Sequence, residues 1–171
     1  PLHDRLAHAC ARLVAHALAE GAGPGTEITV HDARPGAPRD PRERLTGEAE
    51  RLVVAGLAFT LLAVEVEDAG VLPSGILAAA EAAVRAGLPP GALHAPDGPG
   101  SLLVLARDED GRELARRLVL AVATAGSHRG APLRAAAGVA EHPRDGDTPE
   151  TLLAHADGQL FAARADGLPL A

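Results

Sequence analysis

Residues 136–167 read AAGVAEHPRDGDTPETLLAHADGQLFAARADG, and this stretch shows the clearest local structure in the chain. It opens with the small residues of a strand and passes through a polar turn that contains proline and glycine. Thr148 is suited to cap a helix, Pro149 suits the first helical position, and Gly167 suits the position just past a helix end. The stretch therefore predicts a strand, a turn and a closing helix.

The residues ahead of this stretch predict strands and helices in turn. Periodicity and composition predict helix Glu48–Leu57, strand Phe59–Glu67, helix Ile76–Leu88, strand Leu102–Ala106, helix Arg112–Ala125 and strand Leu133–Ala140. Ser74 is expected to cap the second of these helices. The order of elements predicts an α/β (α+β) fold in which helices cover a sheet.

The N-terminal third is less regular. Leu2–Glu20 predicts an amphipathic helix, which a glycine-rich segment ends, and Glu27–His31 predicts a short strand. Asp32–Arg44 is rich in proline and arginine and poor in apolar residues, so we expect a mobile loop there with fast amide exchange.

Composition excludes several classes of function. The 171 residues fit one domain, and a formal charge of −7 without a basic run argues against a nucleic-acid partner. One cysteine, Cys10, excludes an internal disulfide and suits a reducing cytoplasm. The longest uncharged stretch, Leu52–Val64, falls short of the roughly 20 residues that span a bilayer, so no membrane insertion is expected. All basic residues are arginine, which indicates a high-GC bacterial genome, and the start at Pro1 predicts a longer parent protein.

Residues 136–167 resemble the closing stretch of GGDEF domains, bacterial modules whose intact members make cyclic di-GMP. The family pattern there is roughly SIGVA, then P-x-D-G, then LL-x-x-AD-x-ALY-x-AK-x-x-G. The matching residues are Gly138, Val139, Ala140, Pro143, Gly146, Leu152, Leu153, Ala156, Asp157, Leu160, Phe161 (for Tyr), Ala163, Arg164 (for Lys) and Gly167. So many matches at fixed spacing make the resemblance specific.

The resemblance extends towards the N-terminus. Leu88–Leu102 aligns without a gap with the family's LRPGDLVARLGGDEF, and the strand LLAVEVE aligns with LLLxDxD. Leu2–Leu13 looks like the first family helix, whereas residues 21–58 have no clear counterpart. The resemblance implies one degenerate GGDEF domain over residues 1–171. Its ferredoxin-like, nucleotidyl-cyclase-like fold would have a single central, mostly antiparallel sheet flanked by helices.

The signature that gives the family its name is altered. Intact members join two GTP molecules with two divalent cations, which the first Asp of DxD and the Glu of GGDEF hold. The aligned hairpin here consists of Gly98, Pro99, Gly100, Ser101 and Leu102. The acidic pair is thus replaced by Gly100 and Ser101, and only Glu65 keeps a carboxylate at the DxD position. Asp97 is near in sequence but is expected on a different side of the turn.

Other family positions are altered as well. The loop Asp68–Pro73 is too short to carry the family's guanine-reading Asn, and Leu168 replaces a family Arg, although Arg164 keeps a phosphate-facing cation. The inhibitory Arg-x-x-Asp signature falls on Pro89 and Ala92, so we expect no cyclic di-GMP binding there.

These losses predict a non-catalytic regulatory or protein-interaction module of cyclic di-GMP-type signalling in the cytoplasm. Its expected partner is another protein, a domain of its own chain or a second copy in a homodimer. The alternative is a receptor for GTP or a related nucleotide, without cyclase activity, that uses a residual cradle of Glu65, Glu67, Asp97 and Arg164. Neither function needs a cofactor, although Mg²⁺ would enter with a nucleotide. Glu65, Glu67 and Asp68 could also form a metal site, but their alternation with valines favours a solvent-facing strand end.

Overall fold

A computed structural model of the chain describes residues 40–170. Its elements, in chain order, are α1 (Pro41–Val54), β1 (Phe59–Val66), a 3₁₀ turn (Ala69–Val71), α2 (Ser74–Ala86), β2 (Leu93–Pro96), β3 (Ser101–Ala106), α3 (Gly111–Ala125), β4 (Ser127–His128), β5 (Ala131–Pro132), β6 (Ala135–His142) and α4 (Pro149–Ala165). These residues belong to one compact unit, Gly36–Ala171. The predictions for Leu2–Glu20 and Glu27–His31 lie outside the described residues, and a single domain over 1–171 stays a prediction.

Within residues 40–170, four strands form the main sheet in the order β2-β3-β1-β6, and each neighbouring pair is antiparallel. Because β1 is followed by α2, the hairpin β2–β3, α3 and β6, this order is the ferredoxin-like arrangement. The predicted antiparallel sheet flanked by helices is confirmed. A separate two-stranded ribbon, β4–β5, was not predicted; Arg129 and Gly130 turn it with positive φ angles.

Both faces of the sheet are buried under helices. Along β1, Leu61 and Ala63 pack with α1 and α4, whereas Leu62, Val64 and Val66 pack with α2 and α3. Successive side chains of a strand point to opposite faces, so a strand buried on both faces must be apolar almost throughout. This explains why FTLLAVEV alternates only at its end, where Glu65 is half-buried.

The prediction of a mobile loop over Asp32–Arg44 is wrong at its C-terminal end. Asp40 caps α1 by accepting a hydrogen bond from the Arg42 N–H at 2.9 Å, and Pro41 occupies the first turn. Leu45, Ala49 and Leu52 lie on one face of the helix and are buried, so this face anchors α1 to the core. Residues 32–39 lie outside the described part. The helix that directly precedes β1 is therefore α1, which lies in the segment 21–58. The resemblance had instead identified Leu2–Leu13 as the first family helix.

Other helix and strand boundaries differ by a few residues. Ser74 is the first residue of α2 and makes no side-chain cap; Pro73 holds the cap position, so the predicted Ser74 cap is wrong. In β6 the strand begins two residues later than predicted and reaches His142. Its last residue is stabilised by a hydrogen bond between His142 Nδ1 and the Leu57 carbonyl at 2.8 Å.

The closing helix forms as predicted. Thr148 and Thr151 make a reciprocal capping box, Pro149 is at the start of α4, and Gly167 follows the helix with φ +66°. Local capping chemistry therefore determines both ends of α4.

The turn between β6 and α4 is held by Asp145, whose carboxylate accepts a 2.8 Å bond from the Glu141 N–H and pairs with Arg144 at 2.8 Å. The hydrogen bond from Arg144 lowers the pKa of Asp145 below its usual 3.8, and burial opposes part of this effect. A carboxyl group with a lowered pKa stabilises the fold above its unfolded-state pKa, and the contribution is lost as the pH falls through the folded-state pKa.

Asp145→Asn is therefore expected to lower the free energy of unfolding by about 1 kcal/mol at pH 7. The difference from the parent should shrink below pH 4, where the parent's carboxylate takes up its proton. Urea unfolding at pH 7 and pH 3 measures it, with the exposed neighbour Asp147→Asn as a control that should match the parent. A difference of constant size at both pH values would contradict this account.

Candidate functional site

The hairpin between β2 and β3 closes through a tight turn. The Asp97 N–H donates to the Ser101 carbonyl at 2.9 Å, and the Ser101 N–H donates to the Gly98 carbonyl at 3.2 Å. Gly98 and Gly100 have φ angles of +114° and +72°, which L-residues with side chains rarely adopt. The two glycines of this turn are therefore required by its backbone, even though Pro99 lies between them.

The register of the sheet brings the DxD position to the hairpin. Glu65 of β1 lies directly opposite Ser101 of β3, and the Val66 N–H donates to the Gly100 carbonyl at 2.9 Å. Opposite residues of an antiparallel pair project to the same face. Glu65 and Ser101 are thus neighbours on the face that α1 and α4 cover, and both are half-buried.

Asp97 lies across the turn from Ser101, as expected, but its side chain projects to the same face of the sheet. Ala95 pairs with Leu103 on the face covered by α1 and α4, and Asp97 is two residues further along the same strand direction. Asp97 therefore projects to the face that carries Ser101, and its carboxylate forms an ion pair with Arg42 of α1.

The four residues of the predicted cradle are divided among three ion pairs. The structure brings Glu65 and Arg164 together, with 2.9 Å between Glu65 Oε2 and Arg164 Nη1. Glu67 pairs instead with Arg134 at 3.3 Å, and Asp97 pairs with its α1 arginine. Such half-exposed pairs add little stability, but each occupies carboxylate oxygens that a cation would need. Within residues 40–170, no three acidic, histidine or cysteine side chains come together as a metal site.

Gly100 is enclosed by the segments that follow β1. A Cβ atom built on Gly100 would lie 2.6 Å from the Ala69 Cβ, 3.1 Å from Leu77 Cδ1 and 3.3 Å from the Val66 Cβ. The loop from Asp68 to Pro73 contains a single 3₁₀ turn, which places Ala69 against the hairpin. The position aligned with a family acidic residue therefore has no room for a side chain.

Glu81 is a residue of this site that the sequence analysis missed. Its Oε1 accepts a hydrogen bond from the Gly100 N–H at 3.2 Å, so a helix carboxylate holds the hairpin backbone. The signal was present, because Glu81 is the one acidic residue in α2, which is otherwise almost entirely apolar.

The degenerate inhibitory positions lie in the turn ahead of β2. The Ala92 N–H donates to the Pro89 carbonyl at 3.2 Å, and Ala92 packs against the core under α2 and α3. Neither side chain offers a charged group. The absence of cyclic di-GMP binding at this turn stays a prediction.

Known structures provide the comparison for this fold. The GGDEF domain of YfiN from Pseudomonas aeruginosa is 18% identical and superposes with a TM-score of 0.62 over 73% of this chain and 89% of that chain. The GGDEF domain of DgcB from Caulobacter crescentus, solved with c-di-GMP, is 14% identical with a TM-score of 0.61, covering 75% and 84%. Diguanylate cyclase SiaD from P. aeruginosa, solved with its activator SiaC, is 23% identical with a TM-score of 0.62, covering 98% and 67%.

No protein-family profile and no curated protein matches the chain. In the described part, no helix is both long enough and apolar enough to cross a membrane. The α+β topology, the position of the hairpin beside β1 and the three superpositions agree with the resemblance found in the closing stretch. The chain has the fold of the GGDEF domains of diguanylate cyclases.

Proposed function

We propose that this domain is a non-catalytic regulatory module of bacterial cyclic di-GMP-type signalling, which acts by binding a protein partner. The observation that carries the proposal is the hairpin: Ser101 supplies a neutral hydroxyl opposite Glu65, and Gly100 is enclosed by Ala69 and Leu77. Two divalent cations on a triphosphate require anionic oxygen ligands. Only one carboxylate, Glu65, faces the hairpin from β1, and Arg164 already neutralises it.

Binding a protein partner is a function that does not require the cation-binding carboxylates of the cyclase reaction. The similar cyclase SiaD was solved in complex with a protein activator, which supports protein binding as a property of this fold. Fold alone does not confer an activity, so the proposal depends on the altered site residues.

A nucleotide receptor is the second candidate, and the hairpin tip favours it. A Cβ atom at Gly98 would meet nothing within 4 Å, so the backbone at the tip is open to a ligand. Against it, the Gly100 N–H is already bound to Glu81, and the cation of Arg164 is paired with Glu65.

The purified domain is expected to form no cyclic di-GMP from GTP with Mg²⁺ or Mn²⁺, because Glu65 is the one signature carboxylate that remains and Arg164 pairs with it, while the nearby Asp97 is paired with Arg42. Liquid chromatography of the reaction measures the product, and titration calorimetry with GTP separates the two candidates. Product at a rate above that of heat-denatured protein would refute the proposal. Heat release with GTP, without product, would instead favour the receptor.

A further inference from the structure

A cleft of about 500 Å³ opens between α1 and the hairpin strands, on the side of the sheet that carries α1 and α4. Its floor is the cross-strand pair Leu93 and Leu105, of which Leu105 is buried and Leu93 is half-buried. Gly47 and Gly91, which have no side chains, also line the cleft. A cleft of this volume with an apolar floor is typical of sites that bind a side chain or a small molecule.

Arginines stand on opposite walls of this cleft. Arg44 projects from α1, and Arg107 follows the end of β3; both are exposed. Neither has an acidic partner within residues 40–170, whereas most other arginines there are paired. In a chain with a formal charge of −7, two arginines at one cleft without an acidic partner in the described part of the chain favour an anionic ligand.

Two glutamates on the same α1 wall restrict the kind of anion. Glu43 and Glu48 also line the cleft, and Glu48 is paired with Arg51. Arg51, which also lines the cleft, neutralises Glu48, whereas Glu43 has no arginine partner within residues 40–170. A compact polyanion such as a triphosphate would bring its charge close to Glu43, and like charges repel. Carboxylates spaced along a peptide can instead reach Arg44 and Arg107 separately while an apolar side chain rests on the leucine floor.

We propose that this cleft binds an acidic, apolar-centred peptide segment of a partner protein, with Arg44 and Arg107 as the carboxylate-binding residues. The inference rests on the proposed function, since it names the surface through which the module would contact its partner. Arginine suits this role because its planar guanidinium binds a carboxylate through two parallel hydrogen bonds.

The probe is a fluorescein-labelled peptide of Glu-Leu-Glu triplets joined by glycine, and binding is measured by fluorescence anisotropy. Arg44→Ala and Arg107→Ala are each expected to weaken binding about tenfold, and added salt should weaken it further. The double reversal Arg44→Glu with Arg107→Glu should lose this peptide and bind the Lys-Leu-Lys counterpart. Arg112→Ala is the matched control, because Arg112 is also exposed and unpaired within residues 40–170 but lines a different cavity. It should bind like the parent.

Three outcomes would overturn the inference. They are no binding of the acidic peptide to the parent, an equal loss in Arg112→Ala, and binding of inorganic pyrophosphate with the same arginine dependence while the peptide fails. Circular dichroism of each variant shows that it is folded.

The two proposals can fail separately. If the parent forms no cyclic di-GMP and also fails to bind the peptide, the proposed binding surface is wrong and the proposed function stands. If the parent forms cyclic di-GMP and binds the peptide, the proposed non-catalytic function is wrong and the proposed binding surface stands.

Discussion

The triple variant Pro99→Gly, Gly100→Asp, Ser101→Glu, which restores the written GGDEF signature, is expected to form no cyclic di-GMP and to unfold more easily than the parent. The loss in the free energy of unfolding should be about 3–5 kcal/mol. Gly100 has φ +72°, and an aspartate Cβ there would lie 2.6 Å from the Ala69 Cβ. The new carboxylate would also enter a buried position next to Glu81, which already accepts the backbone N–H.

Activity should fail even in molecules that remain folded. Glu65 is already paired with Arg164. A divalent cation would therefore have to break this ion pair before Glu65 and a glutamate at position 101 could bind it together. Compared with intact family members, the shortened loop Asp68–Pro73 lacks the Asn that reads guanine. Leu168 replaces the family Arg that contacts phosphate. Catalysis by positioning falls steeply when the substrate is held loosely.

Urea unfolding and product analysis with GTP and Mg²⁺ measure the two parts of this prediction. Ser101→Glu alone is the control, since Ser101 is half-buried on the sheet face beside Glu65 and already carries a side chain on strand backbone. We expect this single variant to stay folded and inactive. A triple variant as stable as the parent would show that the loop after β1 moves aside, and measurable product would make the hairpin alone the cause of inactivity.

Gly138→Ala is expected to have a comparable effect on stability, with a loss of about 3 kcal/mol or more in the free energy of unfolding. Gly138 lies in β6 where α4 crosses the sheet. A Cβ atom there would be 1.9 Å from the Ala156 carbonyl oxygen and 2.5 Å from the Leu160 nitrogen. These are backbone atoms of a helix that is capped at its start, so no side-chain rotation can relieve the clash and α4 must move away from the sheet.

Gly158→Ala provides the matched control within α4. Nothing lies within 4 Å of a Cβ atom at Gly158, and glycine in a helix interior is destabilising relative to alanine. This variant should raise the free energy of unfolding by about 0.5–1 kcal/mol. Thermal and urea unfolding of both variants measure the opposite signs, and a Gly138→Ala protein as stable as the parent would contradict the close approach of α4.

Elements whose signals lie within a few adjacent residues could be predicted from the sequence. Thr148, Pro149 and Gly167 determine the ends of α4, because capping groups act on the nearest turn of the backbone. The alternation at the end of β1 placed Glu65 on a strand next to buried valines. The hairpin was located by the resemblance, which aligns Leu88–Leu102 with the family signature, and the register of the sheet puts it beside β1.

The first helix shows where such signals fail. Residues 41–44 carry proline and charge, which are typical of a loop, yet they form the start of α1. Proline at a first helical position costs nothing, because its missing N–H would have no partner in the helix. The apolar stripe that anchors α1 begins only at Leu45, and its burial depends on the sheet beneath it.

By itself, the sequence determined the type of most elements after residue 45, although not the β4–β5 ribbon, together with the capped closing helix, the altered signature and the likeness to GGDEF domains. Only the tertiary structure decided that Asp97 shares a face with Ser101, that Arg164 neutralises Glu65, and that Ala69 and Leu77 leave no room at Gly100. Each of these contacts joins residues far apart in the chain. They depend on which strands pair and on how helices pack against the sheet, and the pattern of polar and apolar residues within one element does not specify its distant partners.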